Sequence, residues 1–111
     1  MADKVITIIG TAEPGKARTG VMYALNARKH GWLKDVKLFF FGPAEELLLQ
    51  DQELQQFLRE YQTLEGIVVA CKFIADRDSI SEQVATLGVQ VEYVGAMISD
   101  LIKDGYIPLV W

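Results

Sequence analysis

Apolar residues along the chain follow two alternating rhythms. Lys4-Val5-Ile6-Thr7-Ile8-Ile9 is β-rich and almost unbroken in hydrophobicity up to Gly10. That pattern predicts a strand covered on both faces in a parallel sheet. From Lys16 to His30 the rhythm becomes helical, with Ala17, Val21, Ala24 and Leu25 on one stripe and Arg18, Asn26 and Arg28 off it. Lys29 and His30 suit the negative end of a helix dipole, and Gly31 suits the left-handed residue just past it. A second strand is predicted over Val36–Phe41, stopped by Gly42-Pro43, where Pro43 can open a helical turn. Ala44–Gln50 reads as a short helix. Leu54, Phe57, Leu58 and Tyr61 mark a firmer one over 52–61. Gly66–Ala70 is the third strand and ends at Cys71.

Beyond Cys71, Ile80, Val84 and Leu87 share a helical stripe, with Ser79 and Glu82 at capping-box spacing and Gly88 as the stop. Val89–Val94 alternates apolar and polar, as a strand with one drier face does. Met97, Ile98, Leu101 and Ile102 form a short helix closed by Gly105, and Tyr106–Trp111 is the last strand. Pro108 cannot donate to a ladder, so this strand belongs at an edge. Five strands separated by helices predict a three-layer α/β/α sandwich with a mostly parallel five-stranded sheet.

Composition narrows the function classes. A length of 111 residues, half of them apolar, fits a single domain over 1–111 with its own core. A net charge of -4 argues against nucleic acid or an anionic membrane as partner. No apolar run is long enough to span a membrane, and Met1-Ala2-Asp3-Lys4 lacks the basic start of a signal peptide. One Cys forbids a disulfide framework and points to a reducing, cytoplasmic setting. One His leaves little material for a metal site, and no cofactor is expected.

Parallel sheets place their chemistry beyond the carboxyl ends of the strands, which selects the loops Gly10–Gly15, Gly42–Ala44 and Cys71–Ser79. The first matches G-x-x-x-x-G-K, ending in Lys16. Ala17 stands where a nucleotide-binding loop needs Ser or Thr, and Glu13 puts a negative charge where phosphate would lie. Three readings stay open there: a nucleotide site, a plain strand-to-helix turn, and a set of N–H groups for an anion or a persulfide. The third loop is sharper. Cys71 follows a buried strand and precedes a helical segment, with Lys72 beside it and Arg77 six residues on. Positive charge and a helix start favour the thiolate, which is the nucleophile. Lacking a second Cys, the chain can form a mixed disulfide or carry a persulfide, but cannot run a dithiol cycle. A small buried hydrophobe is the competing reading of Cys71.

The remaining polar residues read plainly. His30 is a helix-end cation, and Glu45, Glu46, Asp51, Glu53 and Glu60 form a solvated face. Asp76, Arg77 and Asp78 either orient the Cys71 loop or pair among themselves. Phe39, Phe40 and Phe41 cannot all enter one core layer, and Trp32, Tyr93 and Trp111 add aromatic surface that oligomerisation would bury.

The order of these segments resembles the DsrE/DsrF-like proteins of sulfur relay, which include the small YchN-like proteins. The resemblance runs from Lys4–Gly10 through Val36–Gly42 and Ile67-Val68-Val69-Ala70-Cys71 to Gly88-Val89, Met97–Ile102 and the closing strand. That family places a cysteine at the end of the third strand, matched here by Cys71, followed by a loop that often carries Arg-Gly-Ile. Arg77 stands near that arginine, with Asp78-Ser79-Ile80 replacing the rest. The resemblance implies a homo-oligomer, often a trimer or hexamer. It further implies that Cys71 accepts persulfide sulfur and passes it to a partner protein; Arg77, Lys72 and Lys16 are the candidate supporting cations. A non-catalytic assembly module with a structural Cys71 is the alternative.

Overall fold

The computed structural model describes residues 3–111, so the first two residues of the signal-peptide expectation lie outside it. Strands β1 (Lys4–Ile9), β2 (Asp35–Phe40), β3 (Val68–Cys71), β4 (Gln90–Glu92) and β5 (Ile107–Val110) form one sheet in the order β4-β3-β2-β1-β5. Every neighbouring pair is parallel. Between the strands run α1 (Pro14–Lys29), α2 (Ala44–Gln50), α3 (Gln52–Thr63), α4 (Lys72–Arg77), α5 (Ser81–Thr86) and α6 (Val94–Lys103). The expected three-layer α/β/α sandwich is what forms.

Alternation along the strands divides the core in two. Ile9, Val36, Leu38, Phe40, Val68 and Ala70 face α1, α2, α3 and α5. Ile6, Ile8, Phe39, Val69 and Cys71 face the opposite side, where Val94, Met97, Ile98 and Leu101 of α6 and Ile74 of α4 cover them. The three consecutive phenylalanines separate as the strand period demands: Phe39 enters one layer and Phe40 the other, while Phe41 stays partly exposed beyond β2. Trp32 and Tyr93 are exposed. Pro108 lies on β5, an edge strand, as a residue without an N–H requires.

Helix ends account for the departures from the sequence pattern. Pro14 opens α1 two residues before the predicted start, because Glu13 caps it. Ser79 does not cap α5. Its φ is +58°, a left-handed turn, and Ile80 precedes the helix without a side-chain cap. The short α4 closes through Ile80 N–H on Ala75 O, at 2.9 Å, and this turn consumes the residue that the capping-box spacing offered. Two members of the supposed solvated face are buried: Glu45 is 0% exposed and Asp51 is 8% exposed.

Candidate functional site

Cys71 ends β3 and stands just before α4, with extended backbone angles and no capping bond from its thiol. Its side chain points into the layer beneath α6 and is 5% exposed. β3 lies between β2 and β4, so the loop after β2 comes alongside it. That loop turns at Gly42, whose φ of +103° suits glycine alone. Glu45 follows on the first turn of α2 and folds back. Its N–H donates to Gly42 O at 3.0 Å, and its Oε2 accepts the Gly42 N–H at 3.3 Å. This reciprocal pair is a capping box without its Ser or Thr.

The fold-back delivers the Glu45 carboxyl to the end of β3. The Cys71 backbone N–H faces it without completing a hydrogen bond, and Oε1 is buried with no partner. Desolvation pushes the Glu45 carboxyl up to about 7, with the N–H groups of Gly42 and Cys71 opposing the rise. Asp78 raises it further, and Arg77 lowers it. Arg77 also feels Cys71, although its guanidinium is bound first to Asp78, Nε to Oδ1 at 3.1 Å. The Glu45 carboxyl thus lies at the carboxyl edge of the sheet near the Cys71 backbone, while the Cys71 side chain packs on the α6 side.

Of the other two cations expected around Cys71, Lys72 is paired elsewhere. The Lys72 ammonium pairs with Asp76 at 3.1 Å and lies 6.0 Å from the Tyr93 ring centre. Asp76 in turn accepts the Ser81 hydroxyl, which is the leading cause of its lowered carboxyl. At Lys16, the backbone N–H donates to Glu13 Oε2 at 2.6 Å, and the Gly15 N–H donates to Oε1 at 3.0 Å. The N–H groups that would have cradled an anion are thus occupied by the chain's own carboxylate. Trp111 O accepts the Gly10 and Thr11 N–H groups at 2.8 and 3.3 Å. The loop behaves as a self-capped strand-to-helix turn.

Glu45 was hidden in the sequence by its neighbours. Glu45-Glu46 before a leucine run looks like a polar helix face, and the spacing of three from Gly42 was the available signal. Among the described residues, no group of three or more His, Cys, Asp or Glu side chains could hold a metal ion. Also among them, no helix is long and apolar enough to cross a membrane.

No protein-family profile and no curated protein matches the chain. Solved structures do. A conserved protein of unknown function from Bacteroides thetaiotaomicron superposes with a TM-score of 0.85 at 24% identity, over 98% of this chain and 95% of that one. The YchN protein of E. coli superposes with a TM-score of 0.72 at 20% identity, over 96% of this chain and 99% of that one. The chain has the YchN-like fold that the order of its segments suggested. At such identities the likeness is one of fold.

Proposed function

We propose that this protein is a sulfur carrier that accepts persulfide sulfur on Cys71 and hands it to a partner protein. The observation that carries the reading is the position of the chain's one cysteine. It stands at the carboxyl end of an internal parallel strand, beside the buried carboxyl of Glu45 and within the field of Arg77. Folds of this type gather their chemistry at that edge, and the YchN-like fold agrees with the sulfur-relay resemblance. With no resolving thiol in the chain, sulfur must arrive from and leave to a partner's thiol. A reducing cytoplasm is the setting in which such a thiol persists. Arg77 and Lys16 are the supporting cations this reading retains, since the Lys72 ammonium pairs with Asp76.

A homo-oligomer, trimer or hexamer, accompanies this proposal. Phe73 and Tyr93, at 62% and 63% exposed, flank the Cys71 edge and give a partner copy apolar surface to cover. Light scattering on the purified protein reads the subunit number directly. The carrier reading is tested by incubating the protein with a sulfane-sulfur donor and weighing it intact. Wild type gains the mass of one sulfur atom and Cys71→Ser does not. No gain, or an equal gain in both, overturns it.

The burial of Cys71 favours a second reading, an assembly module in which the thiol only fills the layer beneath α6. In that case Cys71→Ala leaves the function of the host pathway intact, and substitutions at Phe73 or Tyr93 abolish it.

A further inference from the structure

The side of the sheet that α6 covers is thinly roofed, since only α6 and the six-residue α4 pack there. Five strands about 4.8 Å apart span roughly 19 Å, and one helix about 10 Å wide cannot shield them all. Beside α6 a groove of about 550 Å³ stays open, within the size range of small-molecule sites. Phe39 and Val69 form its floor, and Ile67, 57% exposed, carries that floor out to solvent. The three share one face of the sheet, because Phe39 pairs with Val69 and residues two apart on a strand point the same way. The wall is α6 and its C-cap, where Met97, Asp100, Leu101 and Asp104 recur at i, i+3, i+4 and i+7. The stripe that lines the groove therefore sets two acids among its apolar positions.

The charges around this groove do not balance. The one cation lining it, Lys37, is held by Asp35, Nζ to Oδ2 at 3.1 Å. Asp104 has the Lys4 ammonium 3.6 Å from its Oδ2. Among the described residues, Asp100 forms no ion pair. The groove thus combines an apolar floor and wall with one unmatched negative charge. An anion would be repelled by that charge, and a neutral ligand would leave it unused. We propose that the groove binds a small amphipathic cation: a flat apolar ring system bearing a primary ammonium. The ring displaces water from Ile67, Met97 and Leu101 over the floor of Phe39 and Val69, and the ammonium pairs with the Asp100 carboxylate. The site owes nothing to the sulfur chemistry proposed for Cys71 and stands whether or not that chemistry does.

Naphthylmethylamine and naphthylacetate carry the same ring with opposite charge at neutral pH, so the wild-type chain alone separates the two terms. Titrated into isotope-labelled protein at low salt, the amine shifts the backbone amide NMR signals of Ile67, Val69, Met97 and Leu101. The carboxylate binds about fivefold more weakly or not at all. Asp100→Asn, at an exposed helix position, weakens the amine about fivefold and does not weaken the carboxylate. Equal affinity for the two compounds, an amine that binds the variant as tightly as wild type, shifts confined to signals outside the groove, or no binding of the amine overturns the proposal. So does a groove filled by a second copy of the chain, in which these signals move on dilution of the protein and ignore the amine.

Discussion

Arg18 holds Asp51 in a two-pronged ion pair, with Nη2 2.5 Å from Oδ2 and Nε at 3.2 and 3.1 Å from Oδ1 and Oδ2. Asp51 Oδ1 also accepts the Leu54 N–H at 2.8 Å, so the same carboxylate caps α3. α1 and α3 are thereby joined at the carboxyl edge of the sheet. The Arg18 bond, ahead of the Leu54 N–H, holds the Asp51 carboxyl below its ordinary range.

Asp51→Ala removes a helix cap and one half of this pair, and is expected to cost about 2 kcal/mol in a urea melt at neutral pH. A carboxyl with a lowered folded-state pKa contributes stability above its unfolded value and loses it as pH falls. The deficit of the variant therefore shrinks below about pH 4. A deficit that is constant with pH would show that the capping geometry alone is responsible.

Glu45 has the opposite sign. Its folded-state carboxyl lies at about 7, above the ordinary value of 4.5. The folded protein binds this proton more tightly than the unfolded chain does. The contribution is fully present below the ordinary carboxyl value and is lost as pH rises through about 7. Wild type should lose on the order of 2 kcal/mol across that window relative to Glu45→Gln, which keeps an acceptor for the Gly42 N–H. Paired melts at acid and mildly alkaline pH measure this. Parallel pH profiles would place an ionised Glu45 in water.

These two carboxylates show where sequence pattern stops. Side-chain periodicity identifies the stripe a helix buries, and it placed Val21, Ala24, Leu54 and Leu58 correctly in the core. It is silent about first turns, where capping decides direction and an acid can fold inward. Asp51 and Glu45 both sit at such starts. Cys71 was legible because strand ends are marked by the break in an apolar run, and the parallel order of the sheet gives that position its neighbours. Its proximity to Glu45 depends on β2 and β3 lying side by side, a long-range pairing that no local window contains.

Gly66 closes the turn between α3 and β3 against Tyr61. A Cβ there would meet the Tyr61 ring and lie 2.6 Å from its carbonyl oxygen. The ring is itself fixed, because the buried Tyr61 hydroxyl donates to Val36 O at 2.9 Å. Gly66→Ala should therefore cost about 2–3 kcal/mol. Gly95→Ala on α6 meets nothing within 4 Å and should gain up to about 1 kcal/mol from helix propensity. Thermal melts of the two variants give opposite signs, and a loss in both would contradict the open space around Gly95.

The Gly10–Lys16 loop makes the last prediction. Glu13 fills its own helix start, and the N–H groups of Lys16 and then Gly15 hold its carboxyl below the ordinary range. An added phosphate would have to displace this carboxylate and approach a site that already carries negative charge. ATP or inorganic phosphate should therefore leave the melting temperature of wild type unchanged. Glu13→Ala vacates both N–H groups. It should melt lower than wild type, through loss of the cap, and recover part of the difference in phosphate. A phosphate shift in wild type that Lys16→Ala abolishes would show that the carboxylate yields its place and restore the loop as an anion site.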